Sequence, residues 1–220
     1  MLVLIRGAGD LASGIALRLF HAGLSVVMTE IARPTTIRRT VAFSQAVAQG
    51  KTQVEDVTAR LCQVEDVAGV LAAGEIPVLV DPEAAAISVL KPRVVVDAIL
   101  AKKNLGTAIT DAPVVIGVGP GFTAGVDCHA VVETMRGHTL GRVIWKGSAL
   151  PNTNIPGLIG GFAGERVLRA PADGIFQPAL EIGALVKAGD AAGYVGEKAM
   201  VCTIDGVLRG ILPPDTPVRK

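Results

Sequence analysis

The run Gly7-Ala8-Gly9-Asp10-Leu11-Ala12 sits between an apolar strand, LVLIR, and a helical stretch, and it matches the dinucleotide fingerprint GxGxx[G/A]. The chemistry of such a loop is anion capture. Gly7 permits the tight turn, Gly9 lets a pyrophosphate approach the backbone, Ala12 allows close packing of helix on strand, and the helix N-terminus supplies N–H groups. Glu30, about twenty residues on at the end of the next strand, is placed to accept hydrogen bonds from a ribose 2′-hydroxyl, which favours NAD over NADP. Asp10 sets a carboxylate beside the anion site, and Arg33, Arg38 and Arg39 offer charges that would instead hold a phosphate or a pterin. The alternative is a Rossmann-like scaffold whose glycines serve packing alone.

Further polar groups follow later strands. Asp97 ends VVVDAIL and precedes Lys102, Lys103 and Asn104, so a carboxylate and two amines can meet at the carboxyl edge of a sheet, where ligands bind. A strand end followed by a solvated basic turn explains the same residues, and the same holds for Asp81. The run GVGPGFTAG, with Gly119 and Gly121, can wrap an anion as a nest of N–H donors, or be a plain tight turn. It lacks the GK[ST] ending of a Walker loop. Arg136, His138 and Arg142 can surround a phosphate or carboxylate, or lie in a solvated turn. Cys128 and His129 are adjacent, but neighbours on a strand point to opposite faces, which argues against a catalytic dyad. His21, beside Gly23, reads as a helix C-terminal capping residue. No residue stands out as a catalytic acid or base.

The elements that must position these groups are short. The first thirty residues read as a βαβ opening with a Gly23 stop and a second strand, SVVMTE. Apolar runs at Ile76 to Val80, Val94 to Leu100 and Val114 to Val118 alternate with helical stretches near Ile37 to Val47 and Val67 to Ala73, which predicts a mostly parallel sheet. Thr52 to Cys62 mixes two periods and reads as strand. With 26 glycines and 13 prolines, many tight turns connect these pieces.

Composition narrows the function. Of 220 residues 50% are hydrophobic and 19% charged, which excludes disorder. A net charge of +1 and only one Trp, one Tyr and five Phe argue against nucleic-acid binding. The longest uncharged apolar stretch, Ala112 to Val126, is broken by Gly and Pro and falls short of a membrane span. Met1 to Ile5 lacks the features of a secretory leader, so the cytoplasm is the expected compartment. The three cysteines, Cys62, Cys128 and Cys202, show no metal-ligand spacing, so no metal site is expected, nor the thiol cluster of a soft-metal or selenide carrier. The apolar content is compatible with a homo-oligomer.

Beyond residue 150 the run PNTNIPGLIGGFAG marks a connector. The expected division is an α/β domain over 1–149, a connector over 150–165 and a small β domain over 166–220. The last part repeats itself: Asp173, Gly174, Ile175 and Phe176 correspond to Asp205, Gly206, Val207 and Leu208, and at the same offset Val186 and Lys187 correspond to Val218 and Arg219. Two interlocked β halves around one core follow. The first copy continues into Gly189 and Asp190, and the second reaches Lys220 where its own GD pair falls due, so the expectation is a natural chain that extends further. EKAM at Glu197 to Met200 has Lys198 in the wrong place for a biotin acceptor, which makes it an ordinary hairpin residue.

The segments IRGAGDLASGIALRLFHAGLSVVMTEIARPTTIRRTVAFSQAV, VVVDAILAKKNLGT, GVGPGFTAGVDCHAVVETMRGHTLGRVIWKGSALPNTNIPG and APADGIF…DGVLRGIL together resemble the YqeB family of bacterial proteins. The resemblance covers nearly the whole chain. It implies an accessory protein for maturation of selenium-dependent molybdenum hydroxylases, with such a hydroxylase as client. The N-terminal half is similar in kind to the Rossmann domain of molybdenum-cofactor chaperones of the XdhC type. The expected architecture is therefore α/β, a Rossmann-like sheet domain plus a small barrel-sandwich-hybrid domain of the biotinyl or lipoyl kind. Gly7, Gly9, Ala12 and Glu30 would hold NAD or the dinucleotide form of molybdopterin, while Asp97, Lys102, Arg136 and His138 meet the rest of the ligand or the client. An NAD-dependent oxidoreductase acting on a small metabolite and a non-catalytic docking module are the alternatives.

Overall fold

The computed structural model describes all 220 residues. They divide into two compact units: Met1–Pro34 with Val41–Asn152, and Thr35–Thr40 with Thr153–Lys220.

The first unit is built, in chain order, from β1 (Leu2–Arg6), α1 (Asp10–His21), β2 (Ser25–Glu30), α2 (Gln45–Gln49), β3 (Lys51–Val54), β4 (Val57–Leu61), α3 (Val67–Ala72), β5 (Ile76–Val80), α4 (Ala86–Leu90), β6 (Val94–Asp97), β7 (Val114–Val118), β8 (Ala130–Val132) and β9 (Val143–Ile144). The strands form one sheet in the order β3-β4-β5-β2-β1-β6-β7-β8-β9. All neighbours run parallel except the outer pairs, β3 with β4 and β8 with β9. The inner run β5-β2-β1-β6-β7-β8 is the strand order of a doubly wound sheet, and its direction of winding reverses between β1 and β6.

The reason lies in the strand residues. β1 and β2 are near-continuous Val, Leu, Ile and Met because both faces are covered. Val3, Ile5, Val26 and Met28 pack with Ala12, Ala16 and Leu17 of α1, while Leu4 and Val27 on the other face pack with Val67 of α3 and Ala86 of α4. Small residues on α1 let it lie close to the sheet, as Ala12 suggested.

Three local expectations change. The helix expected over Ile37 to Val47 is replaced by a 3-10 turn at Arg39–Val41 and the short α2. The N–H of Phe43 donates to Ser13 Oγ and that of Ser44 to Ala8 O, both at 2.8 Å, so these donors are withdrawn from a helical ladder. Thr52 to Cys62 is most of a hairpin, β3 and β4, whose turn holds Glu55 at φ +53°. β6 stops at Asp97 rather than Leu100, because the Ile99 N–H turns back to Asp97 Oδ1 at 3.2 Å.

The second unit contains β10 (Gly174–Pro178), β11 (Leu185–Val186), β12 (Ala191–Val195), β13 (Lys198–Val201), β14 (Gly206–Val207) and β15 (Thr216–Val218). They form an antiparallel sheet ordered β13-β12-β10-β15 and a two-stranded sheet, β11-β14. The internal repeat is expressed as exchanged pairing. The first DG strand pairs with the second V[KR] strand, Gly174 opposite Val218, and the second DG strand pairs with the first V[KR] strand, Gly206 opposite Val186. The aspartates obey the same rule: Lys220 N–H donates to Asp173 Oδ1 and Ala188 N–H to Asp205 Oδ1. Phe176, Ala192, Val195, Cys202, Leu208 and Ile211 make the core. Gly193 is required there, since a Cβ would lie 2.5 Å from the Phe176 ring.

Candidate functional site

The winding reversal places the loops after β1 and β6 side by side, which in open α/β sheets is where ligands bind. Gly7 sits at φ +94°, and a Cβ there would lie 3.1 Å from the backbone of Ala98 and Ile99, so glycine is needed for both the turn and the approach of the two loops. Its N–H donates to Thr29 O at 2.8 Å. Ala8 is fully buried: its N–H donates to Glu30 Oε2 at 2.9 Å, and its carbonyl accepts Ser44 N–H at 2.8 Å and Ser13 Oγ at 3.2 Å. Glu30 also accepts the N–H of Ile31 at 2.8 Å. Gly9 is the N-cap of α1 in extended backbone, Asp10 opens the helix, and both keep partial access to solvent. Ala12 faces the core.

Asp97 is 1% exposed, and its cation is Arg6 rather than Lys102. Arg6, 2% exposed at the end of β1, stands directly opposite Asp97 in the sheet. Arg6 Nη1 lies 3.7 Å from Asp97 Oδ2, and Thr107 bridges them, accepting from Nη1 at 2.5 Å and donating to Oδ2 at 2.6 Å. Arg6 Nη2 donates to Leu105 O at 3.1 Å and Pro82 O at 3.4 Å, while its Nε has no partner. Asn104 fixes Thr107 from both sides, through Thr107 N–H to Oδ1 and Nδ2 to Thr107 O, each at 2.8 Å. Lys102 and Lys103 stay exposed, with Lys102 at φ +63° and Leu100 at φ +61° in the loop that Arg6 anchors.

The glycines after β7 hold that loop. Gly121, at φ +113°, would place a Cβ 2.7 Å from the Lys103 backbone, and Gly119 one 2.9 Å from Thr134 Oγ1. Gly119 N–H donates to Val132 O at 2.8 Å, so this donor of the expected nest is already used.

Glu133, after β8, is 3% exposed and was not marked by its spacing. Its carboxylate accepts the N–H groups of Thr134 and Met135 at 2.7 Å and of Leu150 at 2.8 Å. Burial pushes its pKa up, but the three N–H donors outweigh that and leave it lowered. Asp81, after β5, likewise accepts Ala85 N–H at 2.9 Å and Ala86 N–H at 2.8 Å. Glu30, Asp81, Asp97 and Glu133 thus close the loops after four parallel strands, each by accepting main-chain N–H donors. The signal available in sequence was their position at strand ends.

The remaining candidates stand apart from this network. Arg136, His138 and Arg142 are exposed around the β8–β9 turn. Cys128 is buried, which pushes its thiol pKa up, while His129 Nδ1 accepts Val115 N–H at 2.9 Å, so the two do not form a dyad. His21 Nε2 lies 3.1 Å from the Asp56 carboxylate, and the end of α1 is closed instead by Ala22 N–H to Arg18 O and Gly23 at φ +78°. Lys198 is exposed where β13 begins. No helix is long and apolar enough to cross a membrane, and no group of three or more His, Cys, Asp or Glu is placed to hold a metal ion.

No family model matches the chain, and no solved structure matches it significantly. Among curated proteins it is 55% identical over 212 residues, 96% of its own length, to the uncharacterized protein YqeB of Escherichia coli (strain K12). The chain spans 39% of that relative's length. At this identity across nearly all of its residues, the chain belongs to the YqeB family.

Proposed function

We propose that the protein is an accessory factor in maturation of a selenium-dependent molybdenum hydroxylase, and that its first unit binds a nucleotide-like ligand, NAD or molybdopterin dinucleotide, at the reversal between β1 and β6. The observation that carries this reading is the direct bond from Ala8 N–H to Glu30, which brings the glycine loop, the start of α1 and a ribose-type acceptor into one hydrogen-bonded group. A carboxylate has about four acceptor positions, so Glu30 retains capacity for ribose hydroxyls beyond the two N–H groups it holds. The carboxylates of Glu30 and Asp10 oppose a 2′-phosphate, which favours NAD or the pterin dinucleotide over NADP. The exposed Lys102, Arg136 and His138 are the groups left to meet the rest of the ligand or the hydroxylase client, since Asp97 is buried against Arg6 and Thr107 and serves to hold the loop after β6. The exchanged pairing of the second unit supports its reading as a barrel-sandwich hybrid, the unit to which this reading assigns docking of the client.

One observation favours the docking module with an empty scaffold: Gly7 packs against the Ala98 and Ile99 backbone, and the Ala8 carbonyl is met internally by Ser44 N–H and Ser13 Oγ. Calorimetric titration with NAD, NADP and molybdopterin dinucleotide separates the readings, with Gly9→Val and Glu30→Gln run in parallel. Binding of the pterin dinucleotide that both variants weaken supports the maturation role. Variant-sensitive binding of NAD alone points to an oxidoreductase. Absence of binding for all three ligands leaves the docking module.

A further inference from the structure

A doubly wound sheet offers a mononucleotide-binding half on each side of its winding reversal, and a half that holds phosphate presents a helix N-terminus at the carboxyl ends of its strands. Only one half of this sheet is built that way. β1 leads through Gly7 and Gly9 into the twelve-residue α1, and Gly9, its N-cap, makes no side-chain capping bond. β6 and β7 lead into no helix: residues 98–113 and 119–129 are turns, isolated bridges and irregular chain.

Those two connections close on each other instead. A Cβ on Gly119 would lie 3.1 Å from Leu100 Cδ2, and the approach of Gly121 to the Lys103 backbone is tighter still, at 2.7 Å. Gly7 meets Ile99 on one side of this contact and Thr134 meets Gly119 on the other, so the loops after β1, β6, β7 and β8 touch in succession. Their N–H donors are engaged as well. Ala98 N–H donates to Arg6 O at 2.9 Å, Ile99 N–H to Asp97 Oδ1 at 3.2 Å and Gly119 N–H to Val132 O at 2.8 Å. The charged groups that end β1 and β6, Arg6 and Asp97, are buried on Thr107. The crevice over β6 and β7, across which the second half of a dinucleotide lies in this architecture, is therefore filled by the protein's own loops.

We propose that the first unit holds a single nucleoside diphosphate end, and that the nicotinamide or pterin part of a dinucleotide has no seat in this unit. The inference rests on the nucleotide-binding reading and narrows its ligand class. In the half that is built, Glu30 meets ribose hydroxyls and the N-terminus of α1 meets the phosphates. The filled half gives the remainder of a dinucleotide nothing to bury against, so its presence changes affinity little.

The probes are ADP beside NAD, and CDP beside the cytosine form of molybdopterin dinucleotide, titrated into the full chain by calorimetry. For the base that binds, the diphosphate is expected to match its dinucleotide within about fivefold. Glu30→Gln is expected to weaken both members of that pair by the same factor, roughly tenfold. Saturation-transfer NMR on the bound dinucleotide is an independent readout: base and ribose signals of the nucleotide end receive saturation, and those of the nicotinamide or pterin end receive little. A larger gap in favour of the dinucleotide, or nicotinamide or pterin signals saturated as strongly as those of the base, overturns the inference and leaves the nucleotide reading in place. Absence of binding by every probe overturns that reading and the inference together.

Discussion

Arg6 and Asp97 face each other across neighbouring parallel strands and touch mainly through a third residue: their closest atoms are 3.7 Å apart, while Thr107 Oγ1 lies within 2.6 Å of both. A buried ion pair at that distance depends on the bridging hydroxyl to satisfy both partners. Thr107→Val keeps the shape and removes the bridge, and a loss of about 2 kcal/mol in urea unfolding is expected. Asp97→Asn leaves the Arg6 guanidinium buried without its counter-charge and is expected to cost more, about 3 to 5 kcal/mol. The order of the two losses is the check.

Glu133 closes the loop after β8 through three N–H donors. Glu133→Gln turns one acceptor into a donor facing N–H groups, and a loss of about 2 kcal/mol is expected by calorimetric melting. The pH dependence has a definite sign. Because the folded pKa is depressed, the charge stabilises the fold above the unfolded carboxylate value and is lost as pH falls through the folded one. The Gln variant should therefore show a flatter stability profile on the acid side of neutrality.

Glu75 offers the same test at the surface. Its carboxylate meets Arg60 Nε at 2.5 Å and Lys51 Nζ at 2.8 Å, and hydrogen bonds from Arg60 and then Lys51 hold its pKa down at about 2. The stabilisation is present above pH 4.5 and fades as pH falls towards 2. Since both cations are half exposed, Glu75→Gln is expected to cost at most about 1 kcal/mol at neutral pH, less in high salt. Denaturant titrations at low and high ionic strength measure that difference.

Gly121→Ala places a methyl group 2.7 Å from the Lys103 backbone at a left-handed φ. Movement of the Leu100 to Lys103 loop, or a destabilisation of about 2 kcal/mol or more, is expected. Gly125→Ala, also left-handed but with open space around its Cβ, isolates the conformational part of the cost. Comparing their melting temperatures separates strain from collision.

Much of the first unit was legible because its strands are apolar runs bounded by turns, and the βαβ opening carries both a period and a glycine signal. β3 and β4 mixed periods because their hairpin is only partly buried. The site was less legible. Arg6 reads as the polar end of the apolar strand LVLIR, and only the pairing of β1 with β6 reveals it as the partner of Asp97. Lys102, nearer in sequence, points to solvent. Glu133 lies in a polar run whose role depends on Leu150, which returns from a separate part of the chain. Repeats fared better: Asp173 and Asp205 were recognisable as equivalents, and their equivalent bonds follow from one pairing rule.

The interleaving of Thr35–Thr40 with the second unit bears on how this protein can be recombined. A cassette cut after Asn152 and moved to another host would carry Ile211 without the carbonyl of Ile37 and without the Arg39 side chain. Grafts that keep the second unit folded are expected to be those that transplant both stretches together, which makes the exchangeable module discontinuous in the gene.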